Sequence, residues 1–274
     1  PDAVVPMLPE ALSNGWCSLK PDEDRGCLAV HLWIDRAGEL LRWQFLRGLM
    51  RSAERMTYRQ VQALLESGGP HPQLAPLRGA YQALRAARGR RGALNLQSFE
   101  LEVAFDASHK VSGVQPVHGL ESEQLIEECM VLANTAAARE LAARQMPLLY
   151  RVHAEPPGDK LLTLKTAIKA VRLSLDTREG LTPHGFNGLL SQAKGKPFER
   201  YVQQLVLQSQ SQALYQPANG GHFGLGLQHY AHFTSPIRRY ADLVVHRGLI
   251  SALQLGPGGW PDGQGAEGLR SRLG

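Results

Sequence analysis

Residues 221–249, GHFGLGLQHYAHFTSPIRRYADLVVHRGL, gather the groups best suited to chemistry on an anion. They hold His222, His229 and His232, the hydroxyls of Thr234 and Ser235, and the adjacent guanidinium groups of Arg238 and Arg239. Ser235 stands where an N-cap belongs, because its oxygen can accept from the free N–H groups of a first helical turn. Pro236 would then be the first helical residue, where its missing N–H costs nothing. Ile237, Leu243, Val244 and Leu249 would form the buried stripe, with Asp242 and His246 repeating at four-residue spacing. This reading puts Arg238 in a first helical turn, beside backbone donors and the positive end of the dipole, where an anion would be held. A planar guanidinium there can grip two phosphate oxygens at once. Phe223, Tyr230, Phe233 and Tyr240 interleave with these basic groups, a pattern used to stack and hold single-stranded nucleic acid. The competing structural reading makes both arginines surface groups, with Arg238 pairing Asp242 across one turn.

This segment resembles the signature of the RNB catalytic domain of the ribonuclease II and ribonuclease R exoribonucleases. Further matches follow in family order: PMLPEALSNGWCSL (6–19), MRSAERMTYRQV (50–61), LIEECMVLAN (125–134), LYRVH (149–153), LTPHGFNGLL (181–190) and SQALY (211–215). The resemblance is collinear from about residue 6 to residue 253. It implies a 3′→5′ exoribonuclease that hydrolyses single-stranded RNA to nucleoside 5′-monophosphates. Arg238 would then neutralise the scissile phosphate as a catalytic residue. Tyr58 would stack on the RNA end, and Glu127 or Glu128 would meet the 3′-terminal nucleotide. His232, Thr234, Ser235 and Arg239 complete the expected RNA contacts. The two glutamates are adjacent on a helix and point about 100° apart, so they are not expected to face one site together.

The sequence departs from the family in one respect that matters. Members bind divalent metal through an aspartate-dense, IDG-like segment upstream of the PMLP stretch, and nothing here resembles it. Asp22, Glu23 and Asp24 are the one dense acidic run and read as a solvated turn, since hard cations need several converging oxygens. Magnesium ligands are therefore expected upstream, outside the chain, and the chain alone is expected to be inactive. The family's flanking oligonucleotide-binding barrels, and a later segment with a further catalytic glutamate, are also expected elsewhere. Leu96 stands where an aromatic often clamps RNA, and Gln208 and Gln210 stand where Arg and Met are usual. A catalytically inactive RNA-binding relative is the alternative function. A structural piece whose arginines merely solvate is a third.

The composition agrees with an RNB-like piece. The chain has 274 residues, 43% of them hydrophobic, enough for a substantial core. No apolar run reaches the ~18 residues of a membrane span, and no signal-peptide pattern opens the chain. Three scattered cysteines (Cys17, Cys27, Cys129) suit a reducing, cytoplasmic setting, with Cys129 a core thiol. A net charge of +5 favours anionic partners, single-stranded RNA among them. Arg78, Arg85, Arg88, Arg90 and Arg91 fall on an expected helix, 76–88, and the loop after it. They would either track backbone phosphates or form a solvated face. His229, His232 and His246 lack a cysteine or carboxylate at zinc-ligand spacing and read as packing or hydrogen-bonding groups. The glycine-rich GGHFGLG lacks the Lys-Ser/Thr ending of a P-loop.

The elements that must position these groups make an α+β fold, with antiparallel hairpins or a mixed sheet packed against several long helices. Leu28, Val30, Leu32 and Ile34 alternate, a turn follows at 35–38, and Leu41, Trp43 and Phe45 alternate again, predicting a hairpin. Thr57 and Gln60 make a capping box for a helix ending at Gly68. Leu101, Val103 and Phe105 should pair with 111–117. The longest helix is expected over 121–144, with Ile126, Met130, Ala133, Ala137 and Leu141 inward. Asp159 should cap a helix carrying Leu161, Leu164, Ile168 and Val171, and Pro197 should open one running to about Tyr215. Residues 1–255 are assigned to the C-terminal part of an RNB catalytic domain, and 256–274 to a loop or disordered tail.

Overall fold

The computed structural model describes residues 5–96, 100–106, 108, 110–117, 119–178 and 180–260. Its strands are β1 (Asp24–Ile34), β2 (Leu40–Arg51), β3 (Glu100–Phe105), β4 (Val111–Val117), β5 (Tyr150–Val152) and β6 (Leu214–Gln216). Its α-helices are α1 (Tyr58–Ser67), α2 (Leu74–Arg90), α3 (Glu121–Ala143), α4 (Gly158–Ala170), α5 (Pro183–Ala193), α6 (Glu199–Ser209) and α7 (Tyr240–Ala252). The strands form three separate antiparallel pairs, β1–β2, β3–β4 and β5–β6, so the expected α+β class holds with hairpins and no mixed sheet among the described residues.

Both expected hairpins form. In the first, the Asp35 carboxylate accepts from the N–H groups of Ala37 and Glu39 and closes the turn. Gly38 has a positive φ, and a Cβ there would meet the Ala83 carbonyl of α2 at 2.2 Å. The register shifts between Trp33 and Ile34, so Leu40 turns inward and Leu41 is 65% exposed, contrary to the alternation read from sequence. The Thr57–Gln60 capping box opens α1, and Gly68 ends it in a left-handed conformation, as expected.

Helix α3 is the central rod. The Glu123 carboxylate accepts from the Leu120 N–H at its start, and Glu121 and Glu123 suit the dipole there. Its alanine face, Ala133 and Ala136 to Ala138, lets the β1–β2 hairpin, β5 and α7 approach closely, and Phe45, Val152, Phe233, Val245 and Leu249 complete this core. The Trp43 indole donates to Glu140 at 2.7 Å, fixing the hairpin on the helix. Ile126 is 37% exposed and does not face inward as expected, because α2 covers the side that carries Leu125 and Glu128.

A second core joins α4, α5 and α6 through Leu164, Ile168, Phe186, Leu189, Val202 and Val206. Pro157, not Asp159, caps α4, and Asp159 sits in its first turn. Helix α6 starts at Glu199 and stops at Ser209, short of Tyr215. The Ser209 hydroxyl and Gln210 amide fold back to the Val206 carbonyl, and the extended chain then pairs Tyr215 with Arg151. Residues 256–260 turn back so that Trp260 N donates to Ser251 and its ring meets Arg247. The rest of the expected tail, 261–274, lies outside the described residues.

Ala137 has no exposed surface against α7 and its neighbours. Ala137→Leu is therefore expected to lower unfolding free energy by roughly 1–3 kcal/mol in urea titration, through overpacking.

Candidate nucleic-acid interface

The signature segment approaches α3 as a loop whose backbone polar groups are matched by buried side chains. Asn134, 3% exposed on the alanine face of α3, accepts through Oδ1 from Phe233 N–H (2.8 Å) and Thr234 N–H (3.2 Å). Its Nδ2 donates to the Tyr230 hydroxyl at 3.1 Å. One amide thus satisfies two consecutive loop donors that would otherwise be buried without partners. Sequence reasoning missed Asn134, although a polar residue within an apolar helical stripe was the available signal.

The helix expected to be capped by Ser235 starts four residues later. Pro236, Ile237 and Arg238 form a turn, Arg239 is extended as the N-cap, and α7 begins at Tyr240. The cause is Asp242, which has no exposed surface. Its carboxylate accepts from Ser235 N–H (2.7 Å) and, in two bonds, from the Arg239 guanidinium (2.7 and 2.8 Å). These bonds hold residues 235–239 across the mouth of α7 instead of letting them enter it. Ser235 is therefore not the N-cap, Pro236 is not the first helical residue, and Arg238 lies outside the helix. Asp242 pairs with Arg239, not with Arg238 as the structural reading had it.

Arg238 is exposed, and its guanidinium has no hydrogen-bond or ion-pair partner among the described residues. The Thr234 and Ser235 hydroxyls are likewise without protein partners among those residues. Arg239, expected to contact RNA, is occupied by Asp242 and rigidifies the loop beside Arg238.

The paired glutamates separate by burial. Glu128 is 5% exposed and accepts from Arg88 at 2.7 Å, with Arg91 at 3.8 Å. The Glu127 side chain is 52% exposed and meets the same Arg88 at 3.1 Å. Arg88 reaches both carboxylates, although one is buried and the other is half in solvent. Glu127 lies seven residues before Asn134, on the same face and about 10 Å along the axis. Tyr58 is 46% exposed at the other end of this rod, where its carbonyl accepts from the Ser122 hydroxyl.

Most of the arginines on and just after α2 are engaged within the protein, while Arg85 is exposed and, among the described residues, donates only to the Tyr81 hydroxyl. Arg78 pairs with Glu121, Arg88 with both glutamates and Arg90 with Glu39, while Arg91 donates to the Leu225 carbonyl. Internal carboxylates have claimed Arg78, Arg88 and Arg90. Leu96 packs against the second core, away from an aromatic's clamping role.

The histidines are built into the fold beneath the loop. His246 Nε2 donates to the Phe233 carbonyl, and His222 Nδ1 accepts from Leu225 N–H. The Tyr215 hydroxyl and Nδ1 of His232 are hydrogen-bonded at 2.6 Å. Burial, helped by nearby Arg239, holds His232 down to about 4. Burial, with His153 and Arg151 beyond it, holds His222 down to about 3. Burial also pushes the Cys129 thiol up, as suits a core cysteine.

Among the described residues, no three His, Cys, Asp or Glu side chains converge on a metal position. In the acidic run, Glu23 pairs with Arg25, and Asp24 with Arg51 at 2.7 Å. These residues do not fit the divalent site of the resembled enzymes, so no chemical step is assigned to a metal here.

A match to the RNB domain covers residues 1–255. The chain belongs to the RNB domain family. Ribonuclease R of Vibrio cholerae is 40% identical over 259 residues, covering 91% of this chain and 31% of that protein. Ribonuclease R of Escherichia coli is 37% identical over 257 residues, covering 91% and 32%. The chain thus spans about a third of the length of these curated relatives. The apo form of Mycoplasma genitalium RNase R superposes with a TM-score of 0.90 at 29% identity, over 99% of this chain and 43% of that one. The same enzyme in complex with ribose methylated single-stranded RNA gives the same values. Yeast Ssd1, a pseudonuclease, shares the fold at 20% identity and a TM-score of 0.74, over 98% of this chain and 33% of that one. The RNB assignment agrees with the fold derived above, and no helix among the described residues is long and apolar enough to cross a membrane.

The histidines of this RNB chain carry a pH consequence. The folded-state pKa values of His222 and His232 lie below the ordinary 6.5, so the contribution of these two is complete above about 6.5 and is lost as pH falls. His222→Asn keeps an acceptor for Leu225 N–H but cannot titrate. Thermal melts from pH 7 to pH 4 should show a shallower acid-side fall in Tm for this variant than for the wild type, and parallel curves would contradict the assignment.

Proposed function

We propose that this chain is the RNA-gripping part of a 3′→5′ exoribonuclease that hydrolyses single-stranded RNA to nucleoside 5′-monophosphates. The observation that carries the reading is Arg238: an exposed guanidinium without a partner among the described residues, on a loop held by buried Asn134 and Asp242. Fixing the loop in advance removes much of the ordering cost of meeting a phosphate. Arg238 would neutralise charge that builds on the scissile phosphate in the transition state. Glu127, the exposed member of the pair, would meet the 3′-terminal nucleotide, while Glu128 holds Arg88 in place. Tyr58 would stack on a base, and His232, Thr234 and Ser235 would line the path between them. Arg239 would act through Arg238 as a positioning residue.

The divalent ion, proposed as magnesium, would be held by acids outside the described residues and would supply the activated water. A cytoplasmic setting suits the three free cysteines. The mycoplasma enzyme's complex with ribose methylated single-stranded RNA supports single-stranded RNA as the partner of this chain too.

In the complete polypeptide, Arg238→Ala should cut kcat by roughly 100- to 1000-fold with a much smaller loss of RNA affinity. Equal losses in the two quantities would make Arg238 a binding residue only. The 274-residue chain alone, with excess magnesium, should leave 5′-labelled RNA intact, and a ladder of shortened products would overturn the placement of the metal ligands. If the complete polypeptide binds RNA but does not cleave it, the inactive RNA-binding alternative is the correct one.

A further inference from the structure

We propose that Arg151 binds an RNA phosphate adjacent to the one met by Arg238, making the site a two-arginine clamp. This rests on the ribonuclease reading and extends it to a residue with no role so far. Arg151 is the middle residue of β5, paired with Tyr215 of β6, and its N–H donates to the Tyr230 carbonyl. Its guanidinium lies 4.7 Å over the Tyr215 ring. The Tyr215 hydroxyl reaches His232 in the signature loop at 2.6 Å, and the two rings meet edge-on at 5.5 Å. A β-strand, a stacking ring and a hydrogen bond therefore fix this guanidinium against the loop that presents Arg238.

The local charge is unbalanced. His232 feels Arg239, Arg151 and Arg238, with Asp242 as the opposing charge. Asp242 is already matched by Arg239. Arg151 and Arg238 are left without a carboxylate partner among the described residues, whereas the α2 arginines Arg78, Arg88 and Arg90 all have one. Two unneutralised guanidinium groups, one held on Tyr215 and one carried by an anchored loop, beside a half-buried histidine suit successive phosphates of a nucleic-acid strand, because each fork can take two phosphate oxygens. Stacking on Tyr215 leaves the guanidinium edge, which carries the N–H donors, available to those oxygens.

The test is equilibrium binding of a short 5′-labelled single-stranded RNA to the 274-residue chain. A neutral methylphosphonate is placed at each linkage from the 3′ end in turn. Arg151→Ala should weaken binding of the unmodified strand by about tenfold, the worth of one charge-assisted phosphate contact. It should also flatten the slope of log affinity against log salt by roughly 0.7. One methylphosphonate position near the 3′ end should weaken the wild type but have no further effect on Arg151→Ala. Arg151→Lys keeps the charge and the stem, so it tests the contact even if the alanine variant melts early, and it should bind a few-fold more weakly than the wild type. If Arg151→Ala matches the wild type, or loses equally and additively with every methylphosphonate, Arg151 is structural and the clamp is wrong. If the wild-type chain shows no salt-dependent RNA binding, the ribonuclease reading falls together with the clamp.

Discussion

A backbone segment cannot be folded into a protein interior unless its N–H groups find acceptors, and in this chain two buried side chains meet that requirement. Asn134 takes the N–H groups of Phe233 and Thr234, and Asp242 takes that of Ser235 together with the Arg239 guanidinium. Three consecutive loop positions, 233 to 235, and Arg239 are thereby tied, through one residue on α3 and one on α7. Those helices pack on each other through small residues: Gly248 of α7 lies so close to Leu141 that an added Cβ would meet it at 3.2 Å. The loop therefore inherits the rigidity of the helix pair.

That anchoring organises the charge distribution. Arg78, Arg88 and Arg90 of α2 are paired with carboxylates of α3 and the first hairpin, which brace the rod. Glu128 belongs to this bracing, since an unpaired buried carboxylate would be costly. Glu127, one residue away, keeps half of its side chain in solvent. The net charge of +5 is thus a poor guide to where an anion binds. What matters is which cations remain unmatched after folding, and Arg238 is one of them.

Much of the fold was legible because local rules operate where they point to a single answer. The alternation of Leu28, Val30 and Leu32 gave β1, and the Thr57–Gln60 box with Gly68 gave both ends of α1. The 23-residue α3 was legible from its length and acidic first turn. Where local rules allow two answers, tertiary contacts chose. Ser235-Pro236 is a good helix start by propensity, yet Asp242 draws the preceding backbone onto itself and delays the helix to Tyr240. Tyr215 suits a helix as well as a strand, and pairing with β5 decided for the strand.

By itself the sequence determined which chemical groups are present and in what order, because family-specific runs such as HFTSPIRRYADL and LIEECMVLAN survive as contiguous text. Only the tertiary structure decided which glutamate is buried, which arginines are neutralised and which residue holds the loop. Those outcomes depend on contacts between positions some forty to a hundred residues apart, such as Arg88 with Glu128 and Asn134 with Phe233, and local sequence carries no record of such pairings.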